Sequence, residues 1–241
     1  MPFASFRSPL SWGRGAAALG LSVTALLAVP AMTAGASTPS ASALMSLALA
    51  NADKAGWVHE VELASAPGHS FSMDNDIGTS EGRQVIVTNG AHAEVIVFKK
   101  EAYIYGDKKA VADYFQLSTT DPAKYANKWL SIPVTSSGYA TVSNAVTLKS
   151  DFTDVTIPGV VTLGPVTVVN GQKVTPIHGA AAATSTNPAI KATLYVTTSS
   201  PVLPVELKLT STQETVTASW TKWGQTVNLK APAKSAPLVK P

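Results

Sequence analysis

The sequence predicts an α+β fold: a large antiparallel meander sheet with a few short helices on its dry side. Three observations carry this. Two β-branched runs flank Asn89-Gly90, and another pair flanks Asn170-Gly171; an Asn-Gly pair supplies the two positive-φ positions of a tight hairpin. The later segments alternate with period two. Val205, Leu207 and Leu209 oppose Glu206 and Lys208, and Val216, Ala218 and Trp220 oppose Thr217, Ser219 and Thr221. That is the pattern of strands with one wet and one dry face. Helical patterning, by contrast, is confined to short stretches.

In chain order, SASALMSLALANADKAG (40–56) reads as an amphipathic helix. Leu44, Leu47 and Asn51 fall on one stripe, Met45 and Leu49 lie beside it, and Gly56 closes it. GWVHEVELA (56–64) is a strand with Val58, Val61 and Leu63 among polar neighbours, and GRQVIVTNGAHAEVIVF (82–98) is the first Asn-Gly hairpin. EAYIYG (101–106) adds a strand. Asp107 then caps a second short helix whose Val111, Tyr114 and Phe115 face inward. Asp121-Pro122 starts a helical turn, with Asp as N-cap and Pro at the first helical position. It leads into YANKWLSIP (125–133), where Trp129 stands at a helix–strand junction and Leu130 and Ile132 alternate as a strand. SNAVTLKSDFTD (143–154) reads as a third helix with Val146, Leu148 and Phe152 apolar. GVVTLGPVTVVNGQKVTPIHG (159–179) holds the second hairpin, and AAAATSTNPA (180–189) is a loop. Strands follow around TLYVTT (193–198), PVELKLTS (204–211), TVTASWTKW (215–223) and GQTVNLK (224–230).

The 241 residues suit one domain with a sizeable core. The amino-terminal segment carries Arg7 and Arg14 without an acid, then an apolar run, AAALGLSVTALLAVPA (16–31). Ala34-Gly35-Ala36 fits the small-residue cleavage rule, with Ala41-Ser42-Ala43 as a second option. The run is shorter than the ~20 residues of a membrane-spanning helix. The expected division is an export signal over 1–36, extending to 43 at the second cleavage option, one domain over 40–230, and a disordered Pro/Lys-rich tail over 231–241. Removing Arg7 and Arg14 lowers the 18 bases to 16 against 15 acids, so the mature chain is close to neutral. No basic stripe interleaves with aromatics, and nucleic acid is not an expected partner. The chain has no cysteine, so an exported protein of this sequence is expected to be held by burial alone, with no disulfides and no lipid anchor on an N-terminal cysteine.

Catalytic chemistry finds little footing. Gly68-His69-Ser70-Phe71-Ser72 lacks the closing glycine of a nucleophile elbow and does not open a helix, so it reads as a polar hairpin. Asp74-Asn75-Asp76-Ile77-Gly78 with Glu81 departs from calcium-loop spacing and reads as a turn between strands. His59, His69, His92 and His178 are scattered one per segment. The expectation is a protein that is not an enzyme and takes no metal or cofactor.

A size comparison points to a different activity. About ten strands at ~4.8 Å spacing make a sheet roughly 50 Å across, whereas three short helices of ~10 Å diameter cover about 30 Å. The dry face is then under-covered, which predicts a cavity suited to an acyl chain rather than a polar metabolite. Candidate lining residues are Val87, Val97, Tyr105, Val205, Leu207, Leu209 and Trp220. Each sits on a strand with an apolar phase, although in VIV and VIVF either phase would serve.

Four stretches, AYIYG (102–106), YANKWLSIP (125–133), SPVLPVELKL (200–209) and SWTKWGQTVNLKAP (219–232), resemble in order and spacing the actinobacterial envelope lipoproteins of the LppX/LprG type. That group shares a fold with the lipoprotein carriers LolA and LolB. The resemblance implies a half-open antiparallel barrel with helices across its concave face around a hydrophobic cavity. It also implies binding and transport of acylated lipids or glycolipids across the envelope. An envelope or membrane protein is a further expected partner, and the expected state is a monomer. Trp129 and Leu203-Pro204-Val205 transfer as fold markers only. The lipobox cysteine of that group has no counterpart in PAMTAGASTPS, so the expected location is secreted or in the envelope, without that anchor. The alternative is an extracytoplasmic interaction or structural module whose interior is closed and fully packed.

Overall fold

The structure is a computed structural model describing residues 39–238 apart from 116, 118–120, 145, 149–151, 153, 154 and 185–187. The export signal expected over 1–36 lies outside the described residues. Helix α1 (Ala41–Lys54) leads into strands β1 (Trp57–Ala66), β2 (His69–Gly78), β3 (Gly82–Thr88), β4 (Ala91–Val97) and β5 (Glu101–Gly106). A π-helical turn (Ala110–Tyr114) and a 3-10 turn (Pro122–Lys124) precede β6 (Leu130–Pro133) and helix α2 (Ser137–Ser143). The second half supplies β7 (Thr162–Leu163), β8 (Thr167–Val169), β9 (Gln172–Ala181), β10 (Ile190–Thr197), β11 (Pro204–Thr210), β12 (Thr215–Thr221) and β13 (Ala236–Pro237).

These strands form one large, open, curved sheet in the order β13-β6-β5-β4-β3-β2-β1-β12-β11-β10-β9-β7, with β8 pairing on β9. Two meanders, β1–β6 and β9–β12, meet where β1 runs antiparallel to β12, from His59 opposite Thr221 to Ser65 opposite Thr215. Both expected hairpins form: Asn89 and Gly90 have φ of 49° and 79°, and Asn170 and Gly171 have 50° and 76°, as two-residue turns that match strand twist require.

The sheet is mixed rather than purely antiparallel. Residues 224–230, expected as a strand, have no strand pairing. After β12 the chain turns sharply at Lys222 and Gly224, both at positive φ, and the Gly224 N–H donates to the Trp57 carbonyl (2.8 Å). It then returns to the far edge. Residues 236–238, expected within a disordered tail, bond along β6: Ala236 N–H donates to the Trp129 carbonyl (3.0 Å) and Leu238 N–H to that of Ser131 (2.9 Å). That pairing is parallel. It satisfies backbone groups that an open edge would otherwise expose.

Helices α1 and α2 and the π-helical turn pack on one face. Helix α1, capped by the Ser40 hydroxyl, buries Ala41, Ala48 and Ala52. The expected stripe is therefore rotated: Leu44, Met45 and Leu49 flank the contact while Leu47 is exposed, because alanines let the helix approach the strands more closely than a leucine row would. Asp107 caps the π-helical turn through Ala110 N–H (2.7 Å) and also accepts from His92 N–H (2.8 Å); Val111 and Phe115 are buried beneath it. Helix α2 occupies 137–143, ahead of the expected third helix. Of the apolar positions assigned to that helix, Val146 is irregular, Leu148 and Phe152 are helical, and all three are buried. Asp74–Gly78, read as a turn, belongs to β2.

Trp223 and helix α1 tie down the strand entry at Val202–Pro204. Trp223 Nε1 donates to the Pro204 carbonyl (3.2 Å), and Asn51 of α1 donates to that of Val202 (2.9 Å). Trp129 packs on the outer face against Tyr105, with ring centroids 5.5 Å apart.

Gly82 marks where the segment after α2 presses on β3: an added Cβ would lie 2.6 Å from the Val146 carbonyl oxygen and 2.8 Å from that of Asp76. Gly82→Ala is expected to cost ~1–3 kcal/mol by overpacking, read as a lower urea midpoint with an unchanged m-value.

Candidate functional site

The concave face divides into two apolar flanks. One gathers Ile86, Val95, Val97 and Ile104 of β3–β5 beneath Val111, Phe115, Val142 and Val146. The other gathers Ile77, Ile177, Leu194, Leu207 and Trp220 beneath Ala48, Ala52, Leu148 and Phe152. Phe152 bridges two tryptophans, with ring centroids 5.4 Å from Trp220 and 5.5 Å from Trp223.

Between the flanks, at mid-sheet, runs a band of buried polar side chains: Glu60 and Glu62 on β1, Asn75 on β2 and Gln84 on β3. Cross-strand register sets Trp220, Glu60, Asn75, Gln84 and Val95 side by side. Asn75 Nδ2 donates to Glu60 Oε2 (2.7 Å), and Trp220 Nε1 donates to Glu60 Oε1 (3.1 Å). Gln84 Nε2 contacts Met73 Sδ at 3.1 Å. The Asn75 Oδ1 acceptor is buried without a hydrogen-bond partner. Burial pushes the Glu60 carboxyl up to about 7, against the pull of the Asn75 and Trp220 hydrogen bonds and the nearby His59. Such a band can hold a proton near neutrality and can accept a hydrogen bond.

Of the seven lining candidates, Val97, Val205, Leu207, Leu209 and Trp220 lie on the concave phase of their strands. They are not brought together: Val97 belongs to one flank and Leu207, Leu209 and Trp220 to the other. Val87 and Tyr105 are corrected to the outer face. On β3 the inward phase is Gly82, Gln84 and Ile86, because Gly82 alone admits the Val146 backbone. On β5 it is Ala102, Ile104 and Gly106, with Gly106 directly under Phe115. Tyr105 instead meets His92, at a ring distance of 6.1 Å, and Trp129.

The polar band was missed from sequence. Val58 and Ala64 share the parity of Glu60 and Glu62, while Val61 and Leu63 have the opposite parity; that mismatch within one strand was the available signal. Leu63 is exposed and, with Val87, Phe71, Ser70, Ser72 and Thr217, lines a groove of about 350 Å³ at the end of the β1–β2 hairpin. The four histidines sit on strands, and His59 Nδ1 lies 3.0 Å from Asp76 Oδ1. No cluster of three or more metal-ligating side chains occurs among the described residues.

Glu60 makes stability depend on pH with a defined sign. Its unfolded value is the ordinary 4.5 and its folded value about 7, so the folded chain keeps a proton that the unfolded chain has lost. The contribution is complete below about pH 4.5 and falls as pH rises toward 7, by ~3 kcal/mol in all. Urea titrations of wild type and Glu60→Gln across that window are expected to diverge, with the variant lacking the fall.

Compared with known proteins, the chain matches no family model and no curated protein. Among solved structures it is similar to LprF from Mycobacterium bovis, with a TM-score of 0.53 and 15% identity over 80% of this chain and 97% of that one. It is also similar to the lipoprotein LppX of Mycobacterium tuberculosis, with a TM-score of 0.49 and 16% identity over 78% and 99% of the two chains. Identity this low speaks to architecture alone. On the LprF match, the chain has the curved-sheet fold of the envelope-lipoprotein group that its sequence resembles.

Proposed function

We propose that the protein is an extracytoplasmic carrier that binds an acylated lipid or glycolipid on its concave face and moves it across the cell envelope without catalysing a reaction. The observation that carries this reading is the concave floor. Thirteen strands present two apolar flanks, covered by helices of only 14 and 7 residues and shorter helical pieces. A greasy floor under a light roof suits a guest whose recognition is mainly burial of hydrocarbon, at ~25 cal/mol per Å². Val97, Val205, Leu207, Leu209 and Trp220 are the lining residues under this reading, and the polar band would meet a guest's headgroup.

The fold likeness to LprF and the sequence resemblance to LppX/LprG-type proteins, a group of lipid carriers, support the same assignment. No helix among the described residues is long and apolar enough to cross a membrane. The protein is proposed to act as a monomer, secreted or in the envelope, and to pass its cargo to an envelope or membrane protein.

A second reading, a binding or structural module with a closed interior, draws on one observation: Trp220 and Leu207 are already buried by the chain's own side chains. Native mass spectrometry of protein purified from its host separates the two. A carrier is expected to retain acylated lipid released by organic extraction, and a clean apoprotein mass under gentle conditions favours the closed module. Leu209→Trp, at a half-buried margin of the second flank, is expected to reduce bound lipid severalfold while the thermal midpoint moves by only a few degrees.

A further inference from the structure

We infer that the β7–β9 edge of the sheet is a docking surface for an anionic lipid bilayer. The segment Gly159–Val169, GVVTLGPVTVV, turns its apolar side chains to solvent: Val160 is 88% exposed, Val168 62%, Val166 60% and Leu163 36%. Leu163 and Val168 lie along one edge, opposite Ile177 and Lys173 of β9, so these exposed side chains gather on one rim of the sheet rather than scatter. β7 and β8 both pair with β9 and form the rim of the sheet there, with Val166 on the link between them.

Charge identifies the occupant. From residue 155 to residue 205 the chain contains no Asp or Glu, while Lys173 and Lys191 are its only fixed charges. Lys173 is exposed and directly opposite Val168 in the β8–β9 ladder, so a cation flanks the apolar side chains. Apolar tips beside lysine, with no acid to repel phosphate, match a surface of anionic headgroups over acyl chains.

Other occupants fit less well. A strand from a second copy needs a long, regular edge, but β7 has two residues and Gly164-Pro165 interrupts the segment after it. A protein partner's hot spot draws on Trp, Tyr or Arg, and residues 159–175 contain none of them. A fluid surface asks for neither. This inference stands apart from the carrier reading: a bilayer could dock here whether or not the interior takes a lipid.

The chain has no cysteine, which makes a single engineered thiol a clean probe. Val166→Cys and, as a control beyond β6 at the opposite edge, Val134→Cys, both exposed positions, would each carry a polarity-sensitive fluorophore. Phosphatidylcholine vesicles containing phosphatidylglycerol are expected to blue-shift the V166C probe and leave V134C unchanged, with a weaker response to phosphatidylcholine alone or in high salt. Adding Lys173→Glu to V166C is expected to weaken vesicle affinity at least about fivefold. The inference is overturned by no shift with anionic vesicles, by equal shifts at both positions, or by full response in the K173E background. It is likewise overturned if V166C shifts only with increasing protein concentration, which would assign the edge to a second copy.

Discussion

The structure depends on the seam between β1 and β12. Each meander is built from local pairings, but the seam joins residues some 160 positions apart, with Trp220 Nε1 reaching Glu60 over a sequence separation of 160. Closing so long a loop costs entropy that local hairpins do not, and the return is a single continuous concave floor. The register is marked chemically. Because side chains alternate with period two, a one-residue slip would turn Glu60 outward and take it from both Trp220 and Asn75.

That seam explains why charged chemistry lies in an otherwise apolar floor. Burying Glu60 is costly; the cost is moderated by two hydrogen bonds and by a proton held near neutrality. The band divides the floor into two flanks with separate roofs, alanine-faced α1 over one and the π-helical turn with α2 over the other. The outer face is organised differently: Arg83 pairs with Glu94 at 2.7 Å, His59 with Asp76 at 3.0 Å, and an aromatic group forms around Tyr105.

Legibility in the sequence follows local physics. Both Asn-Gly turns were readable because their positive φ values are set within two residues. The phases of β11 and β12 were readable because valine, leucine and tryptophan alternate there with charged or hydroxyl side chains. In the VIV run of β3 and the VIV run of β4 both phases are aliphatic, so hydropathy does not fix the face there: Val87 lies on the outer face and Val97 on the concave one. In β1 the leucine faces out and two glutamates face in, an inversion that hydropathy alone reads backward. Tyr105 likewise faces outward because Gly106, its neighbour, must admit Phe115.

The sequence by itself determined the α+β class, the two hairpins, the capped helix start at Asp107, and the inward phase of the late strands. Each of these rests on residues close together in the chain. Only the tertiary structure decided the β1–β12 junction, the polar band across β1–β3, the return of residues 236–238 to β6 and the outward aromatic group. Those features depend on which backbone comes to lie beside which, and pairings between distant segments leave no periodic trace in the chain.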